Sequence, residues 1–423
     1  MLKNFNVDKT RLITNFCSLF SVEAANYIFP LITLPYLVRV LGPEKFGLVA
    51  FAQAFVQYFM MLTDYGFNLS ATRNISINRE DLKKVSVIFS AVSMIKLMLV
   101  GISSIVLVAL VILIPKFQDD PFVYIFSFGT VLGNGLFPIW FFQGMERMKF
   151  IAFLNFLAKL VFVFAIFIFI KKQNDYVFVP LINSAGYILS GIISVYVAFR
   201  YFKIRFRMPT RQEIVYELKE GWHIFISTAA VSLYTNSNTV ILGFLTNNVI
   251  VGYYSAAEKI VNSSLRFLNP IFQSIYPYIG KLVSDSKEKT LAFIKKTAIC
   301  IGGTVFAISL GIFIAAGPIV NIIFGIEYKE SVVVLKILAF LPFITALSNI
   351  FAIQGLVNFN FSNVISKIAI RGGILNLILA PVLIYSFKQI GLAISVLIVE
   401  LFITLQGAYY FEKYILRKGN RCF

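Results

Sequence analysis

Apolar runs of about twenty residues, each long enough to cross a bilayer as a helix, recur along the chain with only short polar stretches between them. The pattern predicts twelve helical spans at residues 12–37, 47–69, 85–114, 122–142, 150–170, 176–199, 221–245, 249–280, 297–324, 331–356, 364–387 and 390–416. Pro30 and Pro35 predict a bend or local unwinding in the first span, because proline lacks the backbone N–H and crowds the carbonyl four residues earlier. Gly42-Pro43 marks a tight turn, and Pro138, Pro342 and Pro381 fall inside later spans. The seventh span has a polar middle, Ser232-Leu-Tyr-Thr-Asn-Ser-Asn-Thr239. Hydrocarbon does not solvate such a run, so it is expected to face protein or a cavity.

The longest and most basic connection, residues 200–220, falls at the middle of the chain and reads as a linker. Six spans precede it (1–199), six follow (221–416), and a short tail (417–423) closes the chain. The halves echo each other. Gly47-Leu-Val-Ala-Phe-Ala-Gln53 lies 205 residues before Gly252-Tyr-Tyr-Ser-Ala-Ala-Glu258, and Gln143-Gly144 lies 211 before Gln354-Gly355. Six spans per half put both halves in the same orientation, related by an axis along the membrane normal. The expectation is an all-α polytopic membrane protein of two six-helix bundles.

Composition agrees: 58% of residues are apolar and only 14% charged, with 45 Phe, far from the soluble norm. Lys3, Lys9 and Arg11 ahead of an apolar run resemble a signal peptide, but the run continues to Leu37, so it reads as an uncleaved first span. Cys17, Cys300 and Cys422 are too scattered for a metal site or a disulfide framework. The net charge of +18 would suit nucleic acid, but its placement argues for a membrane. With the N-terminus inside, 25 of the 38 Lys and Arg fall on cytoplasmic segments, 7 outside and 6 within spans. That bias puts both termini in the cytoplasm, with anionic lipid headgroups as the partner of the basic loops.

The six intramembrane cations are Lys96, Lys159, Lys259, Arg266, Lys336 and Arg371, opposed by Glu23, Asp64, Glu258 and Glu400. A charge near the middle of a spanning helix costs roughly 2.5–3.5 kcal/mol on insertion scales, so it normally faces an interior cavity or a partner. Lys259 and Arg266 are seven residues apart, two helical turns, and point to one side. Two cations on one face suggest an anionic cargo, with Arg able to fork onto a phosphate and Lys acting as a point charge. Asn236, Asn238, Asn26 and Gln53 could supply amide partners for sugars, and the carboxylates could take up a coupling proton or sodium ion. The competing readings are internal ion pairing, snorkelling of Lys336 and Arg371 at helix ends, and helix-to-helix hydrogen bonding by the polar run. His223, the only histidine, sits at a span boundary. No metal-ligand cluster, catalytic constellation or glycine-rich nucleotide loop is visible, so neither a cofactor nor ATP hydrolysis is expected.

Leu34-Pro-Tyr-Leu-Val-Arg-Val-Leu-Gly-Pro-Glu-Lys-Phe-Gly-Leu-Val-Ala-Phe-Ala-Gln53 and Asp64-Tyr-Gly-Phe-Asn-Leu-Ser-Ala-Thr-Arg-Asn-Ile-Ser76 resemble the start of the Wzx-type O-antigen and polysaccharide flippases. Phe137-Pro-Ile-Trp-Phe-Phe-Gln-Gly-Met-Glu146 and Gly252-Tyr-Tyr-Ser-Ala-Ala-Glu-Lys-Ile260 are similar to two further signatures of that family. The resemblance implies the V-shaped fold of the multidrug/oligosaccharidyl-lipid/polysaccharide exporters. It also implies translocation of a polyprenyl-diphosphate-linked oligosaccharide to the outer leaflet of the bacterial inner membrane, with polymerases and glycosyltransferases as partners. Of the site, it carries over only a cationic interior. The alternatives are a cation-coupled drug or metabolite antiporter on the same fold, which favours a net negative cavity, and a membrane enzyme. The enzyme would require a large outer loop or inner catalytic domain, and the outer loops here are short.

Overall fold

The computed structural model describes residues 2–417, apart from the side chains of residues 2–28, 30, 31, 230, 231 and 233–235. The candidates Glu23 and Asn26 therefore lie outside the described residues.

All regular structure among the described residues is helical. α1 (Leu2–Asp64) carries the first two spans and turns at Gly42, whose φ of 66° lies in the left-handed region glycine tolerates. Its helical run continues through Pro35, so the change of direction falls at the glycine and not at the proline. Tyr65 and Gly66, both at positive φ, separate it from α2 (Phe67–Ile77). Then come α3 (Leu82–Leu113), α4 (Pro115–Gln118), α5 (Pro121–Leu136), α6 (Ile139–Gly144), α7 (Met148–Phe169), α8 (Phe178–Arg200) and α9 (Arg211–Thr235). α10 (Ser237–Leu245), α11 (Asn248–Arg266), α12 (Asn269–Asp285), α13 (Lys287–Ile314), α14 (Ala316–Ile323), α15 (Ser331–Leu338) and α16 (Leu341–Asn349) follow. A π-helical stretch, Ile350–Val357, leads to α17 (Ser362–Phe411), which turns at Lys388 (φ 50°) and so holds the last two spans.

Eight stretches among the described residues are long and apolar enough to cross a membrane, which makes this a multi-pass membrane protein. Two of them, Ile32–Ile77 and Ser362–Arg417, contain the turns at Gly42 and Lys388 and so join neighbouring spans. The seventh and eighth expected spans are not among these eight, which are counted over the described residues; α9 to α12 divide that stretch into four helices. The eighth, expected as one helix over 249–280, is two helices broken at Phe267-Leu268, with Pro270 in the first turn of α12. The ninth is likewise broken at Ala315.

Contacts divide the chain into two compact units, Met1–Leu41 with Phe51–Ser232, and Gly42–Ala50 with Leu233–Phe423. In unit 1, Trp140, Phe141 and Phe142 of α6 pack with Phe89 of α3 and Phe67 and Ile75 of α2. The extended segment after α8 is pinned to α3, where the amides of Arg205 and Arg207 donate to the Oγ atoms of Ser86 (3.2 Å) and Ser90 (3.1 Å). The core of unit 2 gathers Leu268, Phe272 and Ile279 with Ile350, Leu356 and Phe411.

Ahead of the seventh span, Glu217 of α9 is only 3% exposed, and the Asn74 amide donates to both its oxygens at 3.4 and 3.3 Å. Burial pushes its carboxyl from the ordinary 4.5 up to about 7, against the Asn74 hydrogen bond and with help from the negative charge of Glu220. The folded protein then binds this proton more tightly than the unfolded chain, so stability falls as pH rises from about 4.5 to about 7. The Glu217→Gln variant is expected to flatten that decline, read as the shift in thermal unfolding midpoint between pH 5 and pH 8 in detergent. An identical shift in both proteins would refute the assignment.

Candidate functional site

Unit 2 holds a partly open cavity of about 430 Å³. Its polar wall holds six asparagines, Asn236, Asn238, Asn262, Asn269, Asn349 and Asn376, together with Thr345, Arg266, Glu258 and Glu400. The breaks in the helices explain how they come together. Asn236 is the joint between α9 and α10, and Arg266 and Asn269 flank the joint between α11 and α12. Arg266 ends α11, where a cation complements the helix dipole. Its guanidinium has no ion-pair partner among the described residues.

Part of the wall is cross-braced. The Asn376 amide donates to Asn238 Oδ1 at 2.9 Å, the Ser395 hydroxyl to Asn376 Oδ1 at 3.5 Å, and the Tyr254 hydroxyl to Glu258 at 3.3 Å. On the π-helical stretch, Gln354 donates to Asn349 Oδ1 at 3.3 Å and to the Phe272 carbonyl at 3.1 Å. Amides fixed in this way present both donors and acceptors, the inventory a hydroxyl-rich ligand requires.

The remaining sequence candidates are dispersed. Lys259 does not join Arg266 in the cavity wall; its ammonium lies 5.1 Å from the centre of the Phe46 ring. Lys336 sits 5.8 Å from the Phe313 ring, and Arg371, exposed, donates to Gln406 and Tyr410. Lys159 is half-buried on α7. Gln53 lines a separate cavity of about 130 Å³ in unit 1. The unit 2 cavity thus carries one cation against two carboxylates, where the sequence suggested a cationic surplus.

Lys96 and Asp64 form an interior pair of unit 1. Lys96, 2% exposed, donates to Asp64 Oδ1 at 3.1 Å and to the Asn134 carbonyl at 3.2 Å, and the Asn134 amide donates to the same Asp64 oxygen at 2.9 Å. Pro138 accounts for the geometry. A helix running on through span four would bond the amide of residue 138 to the Asn134 carbonyl, and proline has none to give. Lys96 fills that vacancy at the end of α5.

The residues that sequence reasoning did not single out for the site are Asn262, Asn269, Asn349, Asn376 and Thr345. Asn269-Pro270 was the available signal, since proline within an apolar run marks a helix restart.

The family described as polysaccharide biosynthesis protein matches residues 12–283. A provisionally named O-antigen transporter of Escherichia coli (strain K12) is 38% identical over 400 residues, 94% of this chain and 96% of that protein. Among solved structures, an inward-facing multidrug resistance MATE family transporter of the MOP superfamily superposes with a TM-score of 0.69 at 13% identity, over 93% of this chain and 96% of that one. The lipid II flippase MurJ superposes at 0.63 with 14% identity, over 96% and 89%. At such identities the structures establish the fold alone, and it is the MATE-like fold. The family description and the near full-length relative together show that this chain belongs to the polysaccharide biosynthesis protein family.

Proposed function

We propose that this transporter moves an oligosaccharide linked to a polyprenyl diphosphate from the cytoplasmic to the outer leaflet of a bacterial inner membrane by alternating access, with both termini cytoplasmic. The observation that carries the reading is the asparagine-rich wall around Arg266 in unit 2. Sugar hydroxyls and a diphosphate cannot enter hydrocarbon without replacing their hydrogen bonds to water. Amides can replace those of the hydroxyls and a guanidinium fork those of the phosphate. The relative named for O-antigen transport supports the substrate class. With the cell interior negative, outward movement of an anion gains about 2.3 kcal/mol per charge per 100 mV. Glu258 and Glu400, in the same wall, are the places for a coupling proton or sodium ion. They also keep a second reading alive, a cation-coupled antiporter, since two carboxylates against one cation suit a cationic cargo. Polymerases and glycosyltransferases that handle the same lipid-linked sugars are the proposed partners.

The test is the sidedness of the lipid-linked oligosaccharide in a deletion strain of the native host lacking any redundant flippase, probed with an impermeant sugar-modifying reagent. Cytoplasmic accumulation reversed by the restored gene is expected. Unchanged sidedness would overturn the reading in favour of the antiporter. At residue level, Arg266→Ala is expected to slow translocation about 10- to 100-fold, the worth of hydrogen bonds to a charged partner. Lys259→Ala should have a smaller effect, because its ammonium is engaged with Phe46. Wild-type rates in Arg266→Ala at equal membrane abundance would remove Arg266 from the site.

A further inference from the structure

The small cavity of unit 1 is built differently from that of unit 2. Its polar wall is Gln53, Gln57, Ser127, Thr130, Asn183 and Tyr187, without one carboxylate, lysine or arginine. Ser127 is 2% exposed, yet its hydroxyl has no hydrogen-bond partner. Among the described residues, the side-chain amides of Gln53, Gln57 and Asn183 also make no hydrogen bond within the protein. A buried hydroxyl without a partner is unfavourable unless something else satisfies it; beside it Gln53 and Asn183 are half-buried and Gln57 is exposed. Tyr187, 37% exposed, adds an aromatic face with a polar tip.

The position is as informative as the chemistry. Gln53, Gln57 and Met60 line this cavity, and Glu258, Asn262 and Leu265 line the cavity of unit 2, each 205 residues further along. This is the offset of the internal echo. The two cavities thus occupy corresponding places in the two halves, and the substitution that separates their character most is Gln53 against Glu258.

We infer that the unit 1 cavity is a second carbohydrate subsite, one that takes a single uncharged glycosyl ring of the cargo through its hydroxyls. The inference rests on the translocation reading above. An anion would find no cation in that wall, and a coupling cation no carboxylate; Asp64, the acidic candidate among the described side chains of that unit, is bonded to Lys96 and Asn134. A polyhydroxyl ring matches a wall of free amides and the Ser127 hydroxyl, which both donate and accept, while the Thr130 hydroxyl is held on the Ser127 carbonyl at 2.7 Å. The volume of about 130 Å³ corresponds to roughly four waters at liquid density, room for a single sugar ring in their place. The ring it takes is a neutral one, since its wall carries no charged side chain, unlike that of the unit 2 cavity.

The test uses the full-length protein in vesicles and two cargoes, the host's complete lipid-linked repeat unit and the same lipid carrying only its first sugar. Gln57→Met and Asn183→Leu remove the amides while nearly keeping the shape, and neither breaks an internal hydrogen bond. Each is expected to slow the complete repeat unit five- to tenfold and leave the one-sugar lipid at the wild-type rate. Equal slowing of both cargoes, or of neither, would overturn the subsite and leave a merely hydrated pocket. If the wild-type protein moves neither cargo, the translocation reading itself fails and the subsite falls with it.

Discussion

Gly252→Leu is expected to abolish transport and sharply reduce the yield of folded protein. A Cβ at Gly252 would stand 2.0 Å from the Pro43 carbonyl oxygen, and one at Gly47 would stand 1.8 Å from that of Asn248. Both obstacles are backbone, so no side-chain rotation relieves them. The start of the second span and α11 must move apart by more than an ångström to reach ordinary contact. That opens a seam holding Phe46, Val251, Tyr254 and Tyr328, each at most 3% exposed, along with the bond from the Ser331 hydroxyl to the Tyr253 carbonyl. Ordinary overpacking costs about 1–3 kcal/mol because side chains can yield. A backbone-on-backbone clash should reach the upper end or beyond, a large part of a stability of about 5–15 kcal/mol. Gly101 is the control, since a Cβ there meets nothing within 4 Å. Gly101→Ala should be neutral or stabilising in its helix. Comparing extraction yield, unfolding midpoint and sidedness for the two variants checks the argument; equal behaviour would refute it.

The same glycines show how much of the molecule the sequence carried. They are the first residues of the internal echo, legible as a repeat, but their contact with each other's neighbourhood could not be read from one dimension. Motifs that marked the family turn out to serve packing. Gly144 stands where a Cβ would be 2.6 Å from Ile75, and Trp140, Phe141 and Phe142 before it fill the core of unit 1. In Asp64-Tyr65-Gly66, the positive φ of Tyr65 and Gly66 ends α1 and leaves Asp64 at the break, in reach of Lys96. Most span positions, the seventh and eighth excepted, were legible because hydrocarbon imposes a length and a polarity on a crossing helix.

The site was less legible, for a definable reason. Sequence counts intramembrane charges but does not assign their partners, and burial makes the partner decisive. Lys259 and Arg266 share a helix face by spacing. Yet Phe46, some two hundred residues earlier, holds the first, while the break before Pro270 places the second in the cavity wall. The asparagines come from five separate stretches, and their convergence is a property of packing. The polar middle of the seventh span was visible in advance because it violates the composition of its surroundings.

Asp64→Ala is expected to destabilise the protein by about 3–5 kcal/mol, the loss typical of leaving a buried charge without its partner. The asymmetry of the pair makes the prediction specific. The Lys96 side chain is 2% exposed, and without Asp64 its ammonium keeps only the Asn134 carbonyl. The Asp64 side chain is 32% exposed and, without Lys96, still accepts from the Asn134 amide. Lys96→Met should therefore be milder, about 1–3 kcal/mol, chiefly from orphaning the Asn134 carbonyl that Pro138 leaves unpaired. The double variant Asp64→Ala/Lys96→Met should be more stable than Asp64→Ala alone, because it removes the stranded charge. Unfolding midpoints of the four proteins give the coupling directly as a double-mutant cycle. The reverse order, with Lys96→Met the more damaging single change, would contradict the burial argument. Asp64→Asn separates structure from ion coupling: with stability lost and residual transport still responding to the ion gradient, Asp64 is the counter-ion of Lys96. Full stability with transport insensitive to the proton or sodium gradient would instead make it a coupling residue and move that role from Glu258 and Glu400 into unit 1.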